Sequence, residues 1–173
     1  MNKDTRNVID KYKGKPIEDI VADLDRQEPW LEIAIDNVEH DFNMGTIVRS
    51  ANAFGVRHVH VIGRRQWNKR GAMMTDKYLH VHYHQTIDEF LDTIKTKTLV
   101  AVDNVSGSVP VSRAVLSRDS VLLFGAEGPG IRPELIARAD EIVAIEQFGS
   151  TRSINVGVAA GVAMYAWLQR NIL

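Results

Sequence analysis

The chain has 173 residues, 45% of them hydrophobic, which is enough to bury one sizeable core in a single domain. Its 21 Lys and Arg are balanced by 22 Asp and Glu, and the formal net charge of −1 excludes a strongly basic protein that coats nucleic acid. The lack of cysteine excludes disulfides and thiolate metal sites, and no apolar run approaches the roughly 20 residues of a membrane span.

The first 29 residues are charged, and their apolar positions are spaced three or four apart. This spacing predicts one or two short amphipathic helices, which we interpret as an appendage, residues 1–29. The appendage carries a small basic cluster at Lys11, Lys13 and Lys15. Because its N-terminal part is polar and lacks a signal-like apolar run, we expect a soluble cytoplasmic protein.

From residue 30 onward, short apolar runs alternate with helical stretches, which is typical of βαβ units around a mostly parallel sheet. The predicted strands are 31–35, 56–62, 80–84, 98–102, 121–124 and 141–145. The predicted helices are 45–54, 87–95, 133–139 and 153–170. Several strands are nearly continuous in β-branched residues, which indicates helices on both faces. Residues 30–173 are therefore expected to form one α/β domain that binds ligands beyond the carboxyl ends of its strands.

The first polar constellation runs from the end of a strand into a helix. Asn43 is a candidate N-cap, Gly45 permits close approach at the first turn, and Arg49 follows six residues after Asn43. An Arg in this position can reach a phosphate or ribose at the strand ends. By themselves, however, these residues favour a plain cap and a solvated helix residue, and the segment alone only suggests a site.

The second constellation is an apolar strand that enters a turn with three glycines and one carboxylate, Glu127. It lacks the Lys-Ser/Thr of a P-loop, and the chain contains no G-x-G-x-x-G. A nucleoside triphosphate site and an ordinary dinucleotide fold are therefore disfavoured. Alone, the segment is no more than an open loop or a plain turn.

The third constellation is a polar Gly-Ser-Thr-Arg-Ser-x-Asn loop, residues 149–155, before a final apolar helix. Ser153 or Asn155 can cap this helix. Its small residues near Gly157 and Gly161 favour close packing, whereas the polar loop after the last strand indicates a ligand.

Taken in this order, the three segments resemble motifs 1, 2 and 3 of the SpoU (TrmH) family of RNA 2′-O-methyltransferases, of the SPOUT class. The likeness rests on N-x5-N-x-G-x3-R-x-A-x2-F-G, then G-x-E-x2-G, then G-x3-S-[LI]-N, and it covers residues 31 to 170. It implies a mostly parallel α/β sheet with helices on both faces and a C-terminal deep trefoil knot, otherwise almost absent from proteins. It also implies a homodimer with the active site near the subunit interface.

The resemblance assigns roles by position. The implied catalytic residues are Asn43, Arg49, Glu127, Ser153 and Asn155. The implied cofactor is S-adenosylmethionine, and the residues implied to contact it, largely through the backbone, are Asp103, Gly125, Ile145 and Ile154. Two departures alter the expected pocket: Glu146-Gln147 stands where many members have Pro-Met, and Gly157 where many have Ser.

The implied activity is methyl transfer to a ribose 2′-hydroxyl of tRNA or rRNA, and it requires no metal. Because a guanidinium stays protonated, we interpret Arg49 as holding the adjacent phosphate and stabilising alkoxide charge, not as a simple base. Two alternatives stay open: a non-catalytic RNA-binding protein on the same fold, and a SPOUT enzyme that methylates a base. The spacing of Asn43 and Arg49 favours ribose, and the presence of Arg49 and Asn155 favours an enzyme.

RNA contacts are expected from the basic segment after the second strand and from the Lys11–Lys15 cluster. The residues of the basic segment are Arg64, Arg65, Lys69 and Arg70. Trp67 lies between them and either stacks on a base or packs against the protein. His80, His82 and His84 share one face of a strand by their period of two, for which a polar sheet face or a subunit contact is favoured over a metal site.

Overall fold

The structure is a computed structural model that describes residues 4–27, 31–37, 43–126 and 128–173. Near the N-terminus, a short 3₁₀ helix (Asp10–Tyr12) precedes α1 (Ile17–Asp25), in agreement with the predicted short helices. Tyr12 and Ile20 are buried with Tyr78 in a small cluster of their own. The N-terminal helices therefore rest on the segment just before the third strand.

Seven strands form one sheet in the order β3-β2-β1-β6-β4-β7-β5, and every pairing is parallel. The strands are β1 (Glu32–Asn37), β2 (His58–Gly63), β3 (His80–His84), β4 (Thr98–Val102), β5 (Val109–Pro110), β6 (Ser120–Phe124) and β7 (Glu141–Ala144). The six predicted strands are confirmed to within two residues at each end. The two-residue β5 at the sheet edge was not predicted, because so short a strand leaves no periodic pattern.

Three further α-helices connect strands, and a fourth follows the last strand. They are α2 (Asn43–Ala53), α3 (Ile87–Ile94), α4 (Pro133–Ile136) and α5 (Val156–Asn171), and two 3₁₀ helices (Arg70–Ala72 and Thr75–Tyr78) follow β2. The predicted final helix begins three residues later than expected, because Asn155 is its N-cap and not an interior residue. Within the described ranges, no helix is long and apolar enough to cross a membrane.

Helices cover both faces of the sheet, as predicted. On one face, residues of α2 and α5 such as Ile47 and Met164 pack with Ile33 and Ile35 of β1 into the larger core cluster. On the other face, Phe90 of α3 and Leu135 of α4 form the second cluster. The sheet is thus buried on both sides, which explains its nearly continuous apolar strands.

The strand order reverses direction at β1, which lies between β2 and β6. In open α/β sheets, ligands bind beyond the carboxyl ends of the strands near such a reversal. The chain leaves β4 at Asp103, β6 at Gly125 and β7 at Ile145, and these three strands are neighbours. Three of the predicted cofactor residues therefore lie together at the end of the sheet where the parallel strands finish. The C-terminal knot stays a prediction of the family resemblance.

Candidate active site

A cavity of about 300 Å³ lies beyond the carboxyl ends of β4, β6 and β7 and beside the start of α5. All four residues predicted to contact a cofactor line it: Asp103, Gly125, Ile145 and Ile154. Ser153 and Asn155 also line this cavity. The structure thus brings together six predicted site residues from three separate segments, although their binding roles stay predictions.

The loop after β6 folds back so tightly that only glycine fits at its start. A Cβ at Gly125 would lie 2.2 Å from the carbonyl carbon of Gly130 and 2.3 Å from the Ile131 nitrogen. Gly130 has a φ of +73°, in the left-handed region that favours glycine. The Asp103 carboxylate accepts a hydrogen bond from the Ile131 backbone at 3.2 Å. At Gly125, Gly128 and Gly130 the loop therefore presents bare backbone to the cavity.

Asn155 joins the third motif to the first. Its side-chain oxygen accepts hydrogen bonds from the Gly157 and Val158 N–H groups at 3.0 and 3.3 Å, which caps α5. Its Nδ2 donates to Asn43 Oδ1 at 2.8 Å. Asn43 was predicted to cap α2, but it lies inside the helix as its first residue. The two asparagines lie 112 positions apart in the sequence and meet at the mouth of the cavity.

Arg49 lies on α2, one helical turn after Thr46. Thr46 is three residues before it and therefore on the same side of the helix, whereas Gly45, four residues before it, packs against Gly71 and Ala72. A Cβ on Gly157 would lie 3.0 Å from Thr46 Cγ2, so the start of α5 packs against Thr46. Arg49 is exposed and, among the described residues, makes no ion pair. Its side chain is therefore accessible to a ligand.

Two further residues, Ser153 and Glu127, were predicted to be catalytic. Ser153 is exposed at the cavity wall. Glu127 lies outside the described residues, so its predicted role stays a prediction.

The predicted RNA-binding residues are all exposed on the segment that follows β2: Arg64, Arg65, Lys69 and Arg70. Asn37, a buried residue at the end of β1, holds this segment by donating from Nδ2 to the Arg64 and Gln66 carbonyl oxygens. Lys69 forms an ion pair with Asp76 at 2.9 Å. The anchoring role of Asn37 was not foreseen, because its partner lies 27 residues away.

Trp67 packs against the protein, which is the second of the two alternatives given for it. The Trp67 side chain is 7% exposed and belongs to the larger core cluster, and its indole N–H donates to Tyr83 Oη at 3.3 Å. The N-terminal basic cluster makes local contacts as well: Lys11 pairs with Asp23 at 2.8 Å, and Lys13 donates to the Arg6 carbonyl oxygen.

The histidines of β3 pair with side chains of other elements and do not converge on one point. His82 Nε2 lies 2.9 Å from His58 Nδ1, and His84 Nε2 lies 2.9 Å from His60 Nδ1. His80 contacts the Asp25 carboxylate at 2.9 Å. Among the described residues no group of three His, Cys, Asp or Glu could hold a metal ion. This arrangement agrees with the polar sheet face that the sequence analysis favoured for these histidines.

Gln147 is a cavity residue that the sequence identified only as a departure from the family pattern. It follows β7 and lines the cavity, and its Oε1 is buried without a hydrogen-bond partner among the described residues. Its position two residues after the end of a predicted strand was the available signal for a site role.

Comparison with known proteins supports the motif-based resemblance. The model of the SpoU rRNA Methylase family matches residues 31–165. The chain is 28% identical over 147 residues to the tRNA (guanosine(18)-2'-O)-methyltransferase of Escherichia coli (strain K12), covering 82% of this chain and 64% of the relative. It is 30% identical over 149 residues to the 23S rRNA (guanosine-2'-O-)-methyltransferase RlmB of Coxiella burnetii, covering 81% of this chain and 58% of that protein.

A solved structure shows the same architecture. The AdoMet-bound rRNA methyltransferase from Sinorhizobium meliloti superposes with a TM-score of 0.75 at 25% identity, covering 92% of this chain and 61% of that one. The chain thus spans somewhat less than two thirds of the length of these three proteins. Since the family model matches well over half of the chain, the protein belongs to the SpoU rRNA Methylase family.

Proposed function

We propose that this protein transfers a methyl group from S-adenosylmethionine to a ribose 2′-hydroxyl of tRNA or rRNA. The observation that carries this proposal is the cavity lined by Asp103, Gly125, Ile145 and Ile154, because it opens beside the Asn155–Asn43 hydrogen bond. The two relatives named above act on tRNA and rRNA, according to their names. The Sinorhizobium meliloti structure contains AdoMet.

The cavity fits an adenosyl cofactor in size and chemistry. Its volume of about 300 Å³ lies at the lower end for small-molecule sites. Apolar side chains such as Val102, Ile145 and Ile154 suit a purine, and the open Gly125–Gly130 loop lets a ligand approach the backbone. The Asp103 carboxylate provides an acceptor for hydroxyl or ammonium groups. When bound, S-adenosylmethionine supplies a methyl group on a positively charged sulfur.

The polar residues at the mouth would orient the RNA. Arg49 would hold the phosphate next to the target ribose and stabilise negative charge on the 2′-oxygen as its proton leaves. Asn155 would fix Asn43, and the N-terminus of α5 behind Asn155 would add partial positive charge. Holding the 2′-oxygen in line with the methyl group supplies much of the rate acceleration in such a transfer. No metal ion is needed.

RNA would reach this site over the exposed basic segment after β2. Asn37 ties that segment to the end of β1, at the same edge of the sheet as the cavity. Arg64, Arg65 and Arg70 would contact phosphates, and Lys69 would do so next to its partner Asp76.

We further propose that residues 1–29 are an appendage to a methyltransferase domain of residues 30–173, and that the protein works in the cytoplasm, where its tRNA or rRNA substrate is found.

We also propose that two copies associate through α5. One side of this helix is buried, with Ala160, Met164 and Trp167 in the core. The opposite side exposes Val158 and Tyr165, which are 57% and 47% accessible. A helix that is apolar all round is normally covered on both sides. The same face of a second copy, related by a two-fold axis, would cover it and would lie next to the start of α5 at the active site.

The decisive experiment incubates the purified protein with methyl-labelled S-adenosylmethionine and total RNA and then identifies the labelled species. Label in tRNA or rRNA at a position that resists alkali and nuclease supports ribose methylation. Label that leaves the phosphodiester bond sensitive to alkali supports the base-directed alternative. RNA binding without any transfer supports the non-catalytic alternative and contradicts the proposal.

A further inference from the structure

Gln147 is a residue of the cofactor cavity whose side-chain oxygen lacks a hydrogen-bond partner among the described residues. The residue lies three positions after the end of β7 and lines the cavity. Its side-chain Oε1 is buried and has no hydrogen-bond partner among the described residues. Buried polar atoms without a partner are uncommon in folded proteins because water is lost without replacement. A donor from a bound ligand would remove that cost.

Three other polar side chains of the cavity already make hydrogen bonds within the protein. Asp103 accepts from the Ile131 backbone, and the side-chain oxygen of Asn155 accepts from the first turn of α5. Asn104 donates from Nδ2 to the Arg152 carbonyl oxygen at 3.2 Å. Beside Gln147, the Glu146 carboxylate accepts from the Ser112 hydroxyl, which holds the backbone on that side. Among the described residues that line the cavity, Gln147 is therefore the one with a buried side-chain oxygen that lacks a hydrogen-bond partner.

We infer that Gln147 positions the cofactor by accepting a hydrogen bond from a neutral N–H or O–H donor of its adenosyl group, an inference that rests on the proposed function. A neutral amide oxygen suits the exocyclic amine of adenine or a ribose hydroxyl. The charged ammonium of the methionine part pairs better with a carboxylate, and Asp103 provides one in the same cavity. Gln147 thus helps to determine which nucleoside the cavity accepts.

The first test compares the affinity of the parent protein and of Gln147→Met for S-adenosylhomocysteine by calorimetry. Met fills a similar volume without a polar atom, so Gln147→Met should weaken binding about 3- to 10-fold, the effect of one hydrogen bond. Without ligand, its melting temperature should equal or exceed that of the parent, because the unpartnered oxygen is gone. Glu146→Gln is the matched control, since Glu146 contacts Ser112 and does not line the cavity, and its affinity should stay unchanged.

The second test identifies the donor with three analogues of S-adenosylhomocysteine: the 6-oxo purine, the 2′-deoxyribose and the 3′-deoxyribose compounds. For the analogue that lacks the donor, parent and Gln147→Met should bind equally, while the other two should keep the 3- to 10-fold difference. Equal binding of S-adenosylhomocysteine by parent and variant, or an undiminished difference with all three analogues, would overturn the inference alone. Failure of the parent to bind S-adenosylhomocysteine would overturn both the inference and the proposed function.

Discussion

Arg49 is an exposed residue of α2, three positions after Thr46, and the proposed mechanism places transition-state charge next to it. We expect Arg49→Ala to reduce methyl transfer at saturating RNA at least 100-fold, the typical effect of removing one group that stabilises developing negative charge. Arg49→Lys should lose most of the activity as well, because an ammonium lacks the planar fork that binds two oxygens. Transfer of labelled methyl to RNA measures both.

Two properties that do not depend on methyl transfer, the melting temperature and the affinity for S-adenosylhomocysteine, are the control for the Arg49 variants. An exposed side chain without an ion-pair partner among the described residues should contribute little to stability, so the melting temperature and the affinity for S-adenosylhomocysteine should be unchanged in both variants. Near-normal transfer by Arg49→Ala would show that the proposed role of Arg49 is wrong.

Asn155 makes two kinds of hydrogen bond: its oxygen caps α5, and its Nδ2 donates to Asn43. Two substitutions distinguish their effects. Asn155→Ala removes the cap of α5 and should lower the free energy of unfolding by about 1 kcal/mol. Asn155→Asp keeps an oxygen for the Gly157 and Val158 N–H groups but can no longer donate to Asn43. We therefore expect Asn155→Asp to retain parental stability in urea unfolding and to lose methyl transfer. Parental activity in Asn155→Asp would contradict a role for the Asn43 contact.

At the scale of elements, β2 and β3 share an unusual face of stacked imidazoles. The rings of His58 and His60 each lie about 5 Å from two rings of β3, and β1 adds Glu32, which contacts His60 at 2.9 Å and Lys97 at 2.9 Å. Burial and then the nearby histidines lower the pKa of His82 to about 4. Burial likewise lowers the pKa values of His58 and His84. His82 therefore stays neutral in the folded protein at mildly acidic pH.

This histidine face should make the protein less stable as pH falls from 7 to 5. In the unfolded chain a histidine takes up a proton near pH 6.5, while folded His82 does so only near pH 4, so the unfolded state binds protons first. Burial raises the pKa of Glu32, but the hydrogen bonds with His60 and Lys97 have the larger, opposite effect and bring the pKa down to about 2. Glu32 therefore stays ionised over this pH range. We expect a melting temperature several degrees lower at pH 5 than at pH 7, measured by circular dichroism.

The matched variant for this prediction is His82→Gln, which keeps a polar side chain but does not titrate. Its melting temperature should change less between pH 7 and pH 5 than that of the parent. An equal pH dependence in both proteins would show that His82 does not carry the effect.

At the scale of the whole molecule, the proposed dimer predicts where a single charge would separate two copies. Val162 is 40% exposed on the outer face of α5, next to Gly161 and Tyr165 in a shallow groove. Val162→Glu should convert the dimer to a monomer in analytical ultracentrifugation, because a pair of carboxylates would face each other across a two-fold axis. Ile9→Glu, at a 64% exposed apolar residue near the N-terminus, should leave the dimer intact. A monomeric parent protein would contradict the proposal.

The sequence by itself determined the fold class and the order of the elements. Strand patterns continuous in β-branched residues indicate burial on both faces, and alternation with helices indicates parallel pairing, both properties of local composition. Glycines at positions such as Gly125 could be recognised because a side chain is impossible there in any protein with that turn. The order of the motifs likewise identified the family and the residues that line the cavity.

Contacts between distant segments were decided only by the tertiary structure. The bond between Asn155 and Asn43, the anchoring of the basic segment by Asn37 and the burial of Trp67 each join residues that no local pattern relates. The pairing of β2 with β3 set the histidine face in the same way, because register brings His58 and His60 opposite His80 and His82. Periodicity tells which face of an element a residue occupies, whereas its partner depends on how the elements pack.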